Sequence, residues 1–231
     1  MRIFAGIYRI LGNLNLASAN MEKAKYYYEK AIYSKSKNAE TYLHYAIIVL
    51  REGDWEHALS LLENAASKKP KIIAEKGILL TMGSAYWVGG QLDKAIDTLE
   101  GLQAKYSYLN PNTLTTLAYM YYLKQDNEKA IATTLKALDD DPAFGAAWDN
   151  LGQIYYSMGD REKALENFEK AVSFKANLPD SLYFLGVMAE ENGDTAAAKL
   201  YFERARESGV TSLNTVTKEQ IEERCAKYAE V

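Results

Sequence analysis

The chain is poor in the side chains that build metal sites, nucleophilic centres and disulfides. It has one cysteine, Cys225, and two histidines, His44 and His57, among 231 residues. One cysteine cannot form an intramolecular disulfide, which excludes a disulfide-stapled secreted domain and favours a reducing, cytoplasmic setting. Neither a Cys/His nucleophile pair nor a zinc site has enough ligands, so we expect no enzyme, no metal and no cofactor.

Two further absences concern the partners of the chain. The net charge of −4 lacks the excess of Lys and Arg that neutralises phosphates, which argues against a nucleic-acid partner. No apolar run approaches the ~20 residues that span a bilayer, so we expect no membrane insertion. The charge is uneven, with 14 basic and 11 acidic residues (+3) in residues 1–109 but 13 and 20 (−7) in residues 110–231. We therefore expect the two ends to differ in electrostatic potential.

Residues 145–178 contain two amphipathic stripes separated by a turn. Gly159 permits the turn conformation, and the side chain of Asp160 can cap the helix that follows. The pattern therefore predicts an antiparallel helical hairpin. The stripe residues recur at i, i+3, i+7 and then at i, i+4, i+7, which is helical spacing: Trp148, Leu151 and Tyr155, then Ala164, Phe168 and Ala171.

The small residue of the second stripe recurs along the whole chain, at intervals of 34, 37, 35, 34 and 34 residues. This spacing predicts six repeat units, with residues 73–75 as an insertion that lengthens a helix or loop. Thr217 and Gln220 then have capping-box spacing and predict a C-terminal capping helix in residues 213–231. The repeated alanines are Ala24, Ala58, Ala95, Ala130, Ala164 and Ala198, and the predicted units are 5–38, 39–72, 76–109, 111–144, 145–178 and 179–212.

The stripe residues of 145–178, with Gly152 after Leu151 and the Gly159-Asp160 turn, form a 34-residue pattern. This pattern resembles the tetratricopeptide repeat. The resemblance implies an all-α, right-handed solenoid of about six hairpins with a C-terminal capping helix. It also implies a scaffold or adaptor for protein–protein interaction, which binds a peptide segment or helix of a partner in its concave groove.

In this family, side chains at the second, fifth, ninth, twelfth and thirteenth positions of each unit usually face the groove. The resemblance thus implies a groove that is aromatic and aliphatic in its middle, a surface suited to protein recognition. The alternative is that its tyrosines only pack on the next helix. The implied groove residues are Arg9, Asn13, Leu16, Leu43, Ile47, Arg51, Leu80, Ser84, Trp87, Thr115, Tyr119, Tyr122, Asp149, Gln153, Tyr156, Tyr183, Val187 and Glu190.

Chaperone-binding members of the family hold an acidic C-terminal peptide with a carboxylate clamp. Arg9 and Asn13 match the first pair of that clamp. His44 stands where the second Asn belongs, and Gly77 and Thr81 stand where two basic residues belong. The sequence therefore argues against a heat-shock-chaperone clamp.

Two other roles remain open. Phe4, Ile7 and Ile10 lie in the first predicted helix, which has no counterpart of the capping helix. The chain could therefore be a structural subunit that forms a homo-oligomer or a larger complex through this helix. It could also be the substrate-recruiting arm of an enzyme complex.

Overall fold

A computed structural model describes residues 2–228, with side chains from residue 4 onward. Residues 229–231, the end of the predicted capping segment, lie outside the described range. The described residues form thirteen α-helices and no strand. These are α1 (Arg2–Ala17), α2 (Met21–Tyr33), α3 (Ala39–Arg51), α4 (Trp55–Ser67), α5 (Ile72–Val88), α6 (Leu92–Lys105), α7 (Pro111–Leu123), α8 (Asn127–Asp140), α9 (Gly145–Ser157), α10 (Arg161–Phe174), α11 (Pro179–Glu191), α12 (Thr195–Ser208) and α13 (Lys218–Lys227).

Helices α1 to α12 pair into six consecutive hairpins, and α13 packs on α12. The hairpins group into two compact units, which we call the N-terminal unit (Met1–Lys105) and the C-terminal unit (Tyr106–Val231). The first contains α1 to α6, and the second contains α7 to α13. The predicted all-α fold of six hairpins and a final helix is confirmed.

Within a hairpin, the two helices pack together through a small residue of the first helix and a larger residue of the second. A Cβ added to Gly152 would lie 2.5 Å from the ring of Phe168, which is too close for two carbon atoms. In the fourth hairpin the equivalent repeat positions hold Ala118 and Thr134, both fully buried. The Thr134 hydroxyl donates a hydrogen bond to the Ala130 carbonyl, so its polar atom is satisfied inside the core. Glycines with the same close contact are Gly12 against Tyr28, Gly83 against Leu99 and Gly186 against Phe202.

The turns have the predicted chemistry. Gly159 has a φ of +82°, and Asp160 accepts a hydrogen bond from the Lys163 N–H, which confirms it as the N-cap of α10. Thr217 and Gln220 form both bonds of the capping box that begins α13. These contacts stop and restart the helices at the predicted positions.

The three-residue insertion lengthens a helix. Residues 73–75 lie in the first turn of α5, which has 17 residues and begins at Ile72. Ile72 and Ile73 are 62% and 87% exposed at this end.

Helix α13 covers the apolar side of the last hairpin. Ile221 and Cys225 of α13, and Tyr228 at its C-cap, join a core cluster with Leu182 and Phe202. This contact removes apolar surface of the last repeat from water, as a terminal cap of a repeat array must.

Candidate functional site

The predicted groove residues of the N-terminal unit lie on the first helices of its hairpins, α1, α3 and α5. Arg51 is exposed, whereas Leu43 is buried because it packs against α5, where a Cβ on Gly77 would lie 3.0 Å from the Leu43 Cδ2. The other residues of this set keep part of their surface in water. The half-buried members are Arg9, Asn13, Leu16, Ile47, Leu80, Ser84 and Trp87.

Asn13 belongs to a polar triangle inside this unit. The Tyr28 hydroxyl donates to the Asn13 Oδ1 at 2.8 Å, and the His44 Nδ1 lies 3.2 Å from the Tyr28 oxygen and 3.3 Å from the Asn13 Oδ1. Burial raises the pKa of Tyr28 to about 12 and lowers the pKa of His44. The triangle is therefore neutral at neutral pH, and the Asn13 oxygen is engaged within the chain.

The two arginines give this face its charge. Neither Arg9 nor Arg51 forms an ion pair with another residue between 4 and 228. The whole N-terminal unit has 14 basic and 11 acidic residues, a net charge of +3. This charge attracts acidic groups.

In the C-terminal unit the predicted residue Asp149 is buried, with 7% of its surface exposed. The Ser181 hydroxyl donates to its Oδ1, and the Gln153 amide donates to its Oδ2 at 2.8 Å. Burial, and then the neighbouring Asp180 carboxylate, raise the pKa of Asp149 to about 7. Asp149 is thus a hydrogen-bond acceptor enclosed by α9 and α11.

Asp180, at the second position of the last repeat, binds a later part of the chain. Its Oδ1 accepts the Val216 N–H at 2.8 Å, and its Oδ2 accepts the Asn214 side-chain amide at 2.9 Å. Burial raises the pKa of Asp180, while these N–H donors oppose the shift. The carboxylate therefore binds both the backbone and a side chain of the segment between α12 and α13.

We call that segment, Thr211–Val216, the strap. The Thr215 hydroxyl donates to the Gln153 Oε1 at 2.8 Å, and the Tyr119 hydroxyl lies 2.8 Å from the same Thr215 oxygen. Tyr119 is on α7, Gln153 on α9 and Asp180 on α11. The strap thus contacts the first helix of each hairpin in the C-terminal unit, through positions that the repeat pattern assigns to the groove.

Helix α13 engages another predicted groove residue, Glu190. The Glu190 carboxylate accepts hydrogen bonds from Arg224 Nη1 at 2.6 Å, from Lys227 and from the Tyr228 hydroxyl at 2.8 Å. Burial opposes ionisation, but the bonds from Lys227 and Tyr228 outweigh it and hold the pKa of Glu190 below its usual value. The predicted residue Tyr183 packs beside this contact, with its ring centre 5.6 Å from that of Phe202.

Two predicted tyrosines make ring contacts. The Tyr156 hydroxyl donates to Glu191 at 3.2 Å, and the Arg161 guanidinium lies 3.7 Å from the centre of its ring. The Tyr122 ring centre lies 5.8 Å from that of Tyr119. These rings are half-buried, so each keeps part of its surface in water.

The remaining predicted residues are Val187 and Thr115. Val187 is half-buried and packs against the cluster that holds α13. The Thr115 carbonyl accepts the Asn150 amide at 2.8 Å, and its buried hydroxyl has no hydrogen-bond partner among residues 4–228.

The residues absent from the predicted set include Asp180 and the strap residues Asn214 and Thr215. Asp180 could have been found, since the second position of each repeat belongs to the same groove rule. Asn214 and Thr215 lie after the last predicted repeat unit, so no repeat position applies to them. Thr215 contacts Tyr119, which is 96 residues earlier in the sequence. Repeat periodicity carries no signal for such a contact.

The described residues suggest little reactive chemistry. Cys225 is buried, and burial raises the pKa of its thiol, which disfavours the nucleophilic thiolate. Between residues 4 and 228, no three His, Cys, Asp or Glu side chains are grouped so as to bind a metal ion. No helix of the described chain has the length and apolarity to cross a membrane.

Comparison with known families agrees with the repeat pattern. Models of the tetratricopeptide repeat match residues 80–144, 145–177 and 179–207. The chain belongs to the tetratricopeptide repeat family. The resemblance found in the sequence is thereby confirmed, and proteins of this family generally mediate protein–protein interactions.

Relatives of this tetratricopeptide protein cover it to different extents. The photosystem I assembly protein Ycf3 of Parasynechococcus marenigrum is 29% identical over 134 residues, which are 51% of this chain and 76% of that protein. The BBSome complex member BBS4 homolog of Drosophila melanogaster is 21% identical over 193 residues, which are 79% of this chain and 39% of that protein. The chain thus matches only about two fifths of the length of the BBSome member.

A crystal structure of a tetratricopeptide repeat protein from Parabacteroides merdae has the same fold. Its TM-score is 0.77 at 16% identity, and the alignment covers 96% of this chain and 83% of that one. At this identity the likeness concerns the fold alone.

Proposed function

We propose that the chain is a non-catalytic scaffold or adaptor that binds a peptide segment or helix of a partner protein along the first helices of its hairpins. One observation carries this proposal. In the C-terminal unit, groove positions already bind an irregular segment of the chain itself, through Asp180, Gln153 and Tyr119. A face that binds one such segment has the chemistry to bind another.

The N-terminal unit supplies the open part of this surface. Its groove positions combine apolar side chains, Ile47, Leu80 and Trp87, with the cations Arg9 and Arg51. A complementary partner is a segment with acidic side chains among apolar ones. Because His44, Gly77 and Thr81 stand where the clamp requires Asn and two basic residues, the proposal does not include the carboxylate clamp of chaperone-binding relatives.

Selection of peptides from a displayed library tests this surface. The wild-type chain should enrich acidic, apolar peptides, and the double variant Arg9→Glu, Arg51→Glu should lose them because its charges repel them. The double variant Lys23→Glu, Lys30→Glu makes the same charge change on α2 and should keep them. Equal binding by all three proteins would contradict the proposed surface.

A second candidate role is that of a structural subunit that assembles through α1. Phe4, Ile7, Ile10 and Leu14 are 57%, 47%, 53% and 60% exposed and recur at helical spacing, so they form an apolar stripe. Light scattering should report an oligomer for the wild type and a smaller species for Phe4→Glu and Ile7→Glu. A monomer in all three cases would remove this role.

The last two parts of the proposal concern catalysis and cellular location. We propose that any chemistry belongs to a protein that the chain recruits or accompanies, and that the chain works in the reducing cytoplasm, as its single cysteine suggests. Catalytic turnover by the purified chain would contradict the first part of this proposal.

A further inference from the structure

The strap is bound largely by hydrogen bonds. Asn214, Thr215 and Val216 reach three first helices through the Asp180 carboxylate, the Gln153 amide and the Tyr119 hydroxyl. Of these three strap residues, only Val216 is buried, and Thr215 is exposed. Val216 also packs in the core cluster with Leu182 and Phe202, so a segment that replaces the strap must supply an aliphatic side chain at this position.

The groove residues bind the strap through hydrogen bonds that they could also make to a peptide of another protein. Asp180 accepts one backbone N–H and one side-chain amide, so it recognises a main chain together with the residue two positions before Val216. Gln153 and Tyr119 both meet the hydroxyl of the intervening Thr215. These are contacts that the same residues of another chain could make.

The strap contains a turn that is centred on Thr211. The Asn214 N–H donates to the Thr211 carbonyl at 3.1 Å, the Leu213 N–H donates to the Thr211 hydroxyl at 3.3 Å, and Thr211 bonds to the Asn214 side chain at 2.9 and 3.2 Å. Residues 211–215 are not buried, and segments with few buried apolar contacts open more readily than packed helices. The strap keeps its place because it is tethered, which gives it a high effective concentration at the groove.

We propose that the strap is an internal ligand of the groove positions Tyr119, Gln153 and Asp180, which we call the C-terminal groove, and that a partner's peptide of similar chemistry displaces it. This inference rests on the proposed function, since it names the partner class for one of the two grooves. The peptide has Asn, or another side-chain N–H donor, two residues before an aliphatic residue, with a hydroxyl residue between them. An acidic side chain at the Asn position is rejected, because it would face the carboxylate of Asp180 and, behind it, that of Asp149.

The test uses the full chain and a labelled synthetic peptide that matches residues 209–217. Fluorescence anisotropy compares the wild type with the double variant Asn214→Ala, Thr215→Ala, which weakens the strap and leaves the groove intact. The variant should bind the peptide at least about tenfold more tightly, because it lacks the tethered competitor. Two matched controls should abolish this gain: Gln153→Ala added to the variant, and a peptide with Asp in place of the residue equivalent to Asn214.

Two results would overturn the inference. One is a strap variant that melts like the wild type and yet binds no peptide. The other is measured on the wild type, so it does not depend on the variant folding: the amides of Thr215 and Val216 should exchange with solvent at least about a hundredfold faster than those of α9. Equal exchange rates would mean that the strap never opens. Either result leaves acidic-peptide binding by the N-terminal unit intact, so it is distinct from failure of the proposed function.

Discussion

The two units use the same helix positions in different ways. In the N-terminal unit these positions carry Arg9, Ile47 and Arg51 on a unit of net charge +3, and part of their surface faces water. In the C-terminal unit, where the net charge of residues 106–231 is −7, the strap and α13 bond to Tyr119 and Glu190. The comparison teaches that a repeat position predicts where a side chain lies, whereas the segments around it decide whether that side chain is available.

The largest expected difference between the units is that the unfolding free energy of the C-terminal unit depends on pH through Asp149. Because burial raises the pKa of Asp149 from 3.8 to about 7, its folded form binds more protons than its unfolded form between these values. The stability that it contributes is complete below about pH 4 and is lost as the pH rises through about 7.

The Asp149→Asn variant isolates this effect. Unfolding by denaturant at a series of pH values, with hydrogen exchange to resolve the units, should show the variant more stable than the wild type near pH 8 and nearly equal to it near pH 4. The N-terminal unit should not differ between the two proteins. If the unfolding free energy of the C-terminal unit changed with pH in the same way in both proteins, the pKa of Asp149 would not be raised by folding.

The next prediction concerns packing in the fifth hairpin. Ala164 is fully buried, so Ala164→Leu should overpack the hairpin and lower the unfolding free energy by roughly 1 to 3 kcal/mol. Its neighbour Lys163 is exposed and should tolerate leucine with little change. Equal losses in thermal melts of the two variants would show that the assigned helix face is wrong.

Loosening the contact between Glu190 and α13 should affect the C-terminal unit alone. Glu190→Gln removes the charge that Arg224 and Lys227 pair with, at a cost of about 1 to 2 kcal/mol. Hydrogen exchange should become faster in α13 and in the strap, and should stay unchanged in α1 to α6. Unchanged exchange throughout would mean that this contact stabilises neither α13 nor the strap that precedes it.

The smallest effect is expected in the N-terminal unit. Gly101 is exposed inside α6, and a Cβ there would meet no atom within 4 Å, so Gly101→Ala should stabilise the third hairpin by about 0.5 to 1 kcal/mol. Gly83→Ala in the same hairpin is the control, because its Cβ would lie 2.8 Å from Leu99 and should destabilise. Changes of the same sign would contradict this description of the hairpin.

The sequence predicts the fold well because the repeat is a local pattern. The interval between Ala130 and Ala164 and the cap at Asp160 involve residues of one hairpin or its neighbour, so periodicity reveals them. The charge difference between the two ends is also read directly from composition. These features require no knowledge of distant contacts.

The availability of the groove residues could not be predicted in this way. The strap has no helical period, and its bond from Thr215 to Gln153 spans 62 residues. Glu190 looks like a solvent-facing residue until α13 brings Arg224 and Tyr228 against it. Such contacts depend on the path of an irregular segment, which has no repeated pattern in the sequence.

The most direct test of the central claim compares the two grooves in one binding experiment. Partners captured from source cells by the wild type would be compared with those captured by two folded triple variants, Ile47→Ala, Arg51→Ala, Trp87→Ala and Tyr119→Ala, Tyr122→Ala, Tyr156→Ala. We predict that the first variant loses the acidic, apolar partner and that the second retains it, because this partner is proposed to bind the N-terminal unit and not the groove positions that the strap occupies. Loss of this partner by the second variant alone would contradict the account, since its binding would then depend on the C-terminal unit and not on Arg51 and its neighbours.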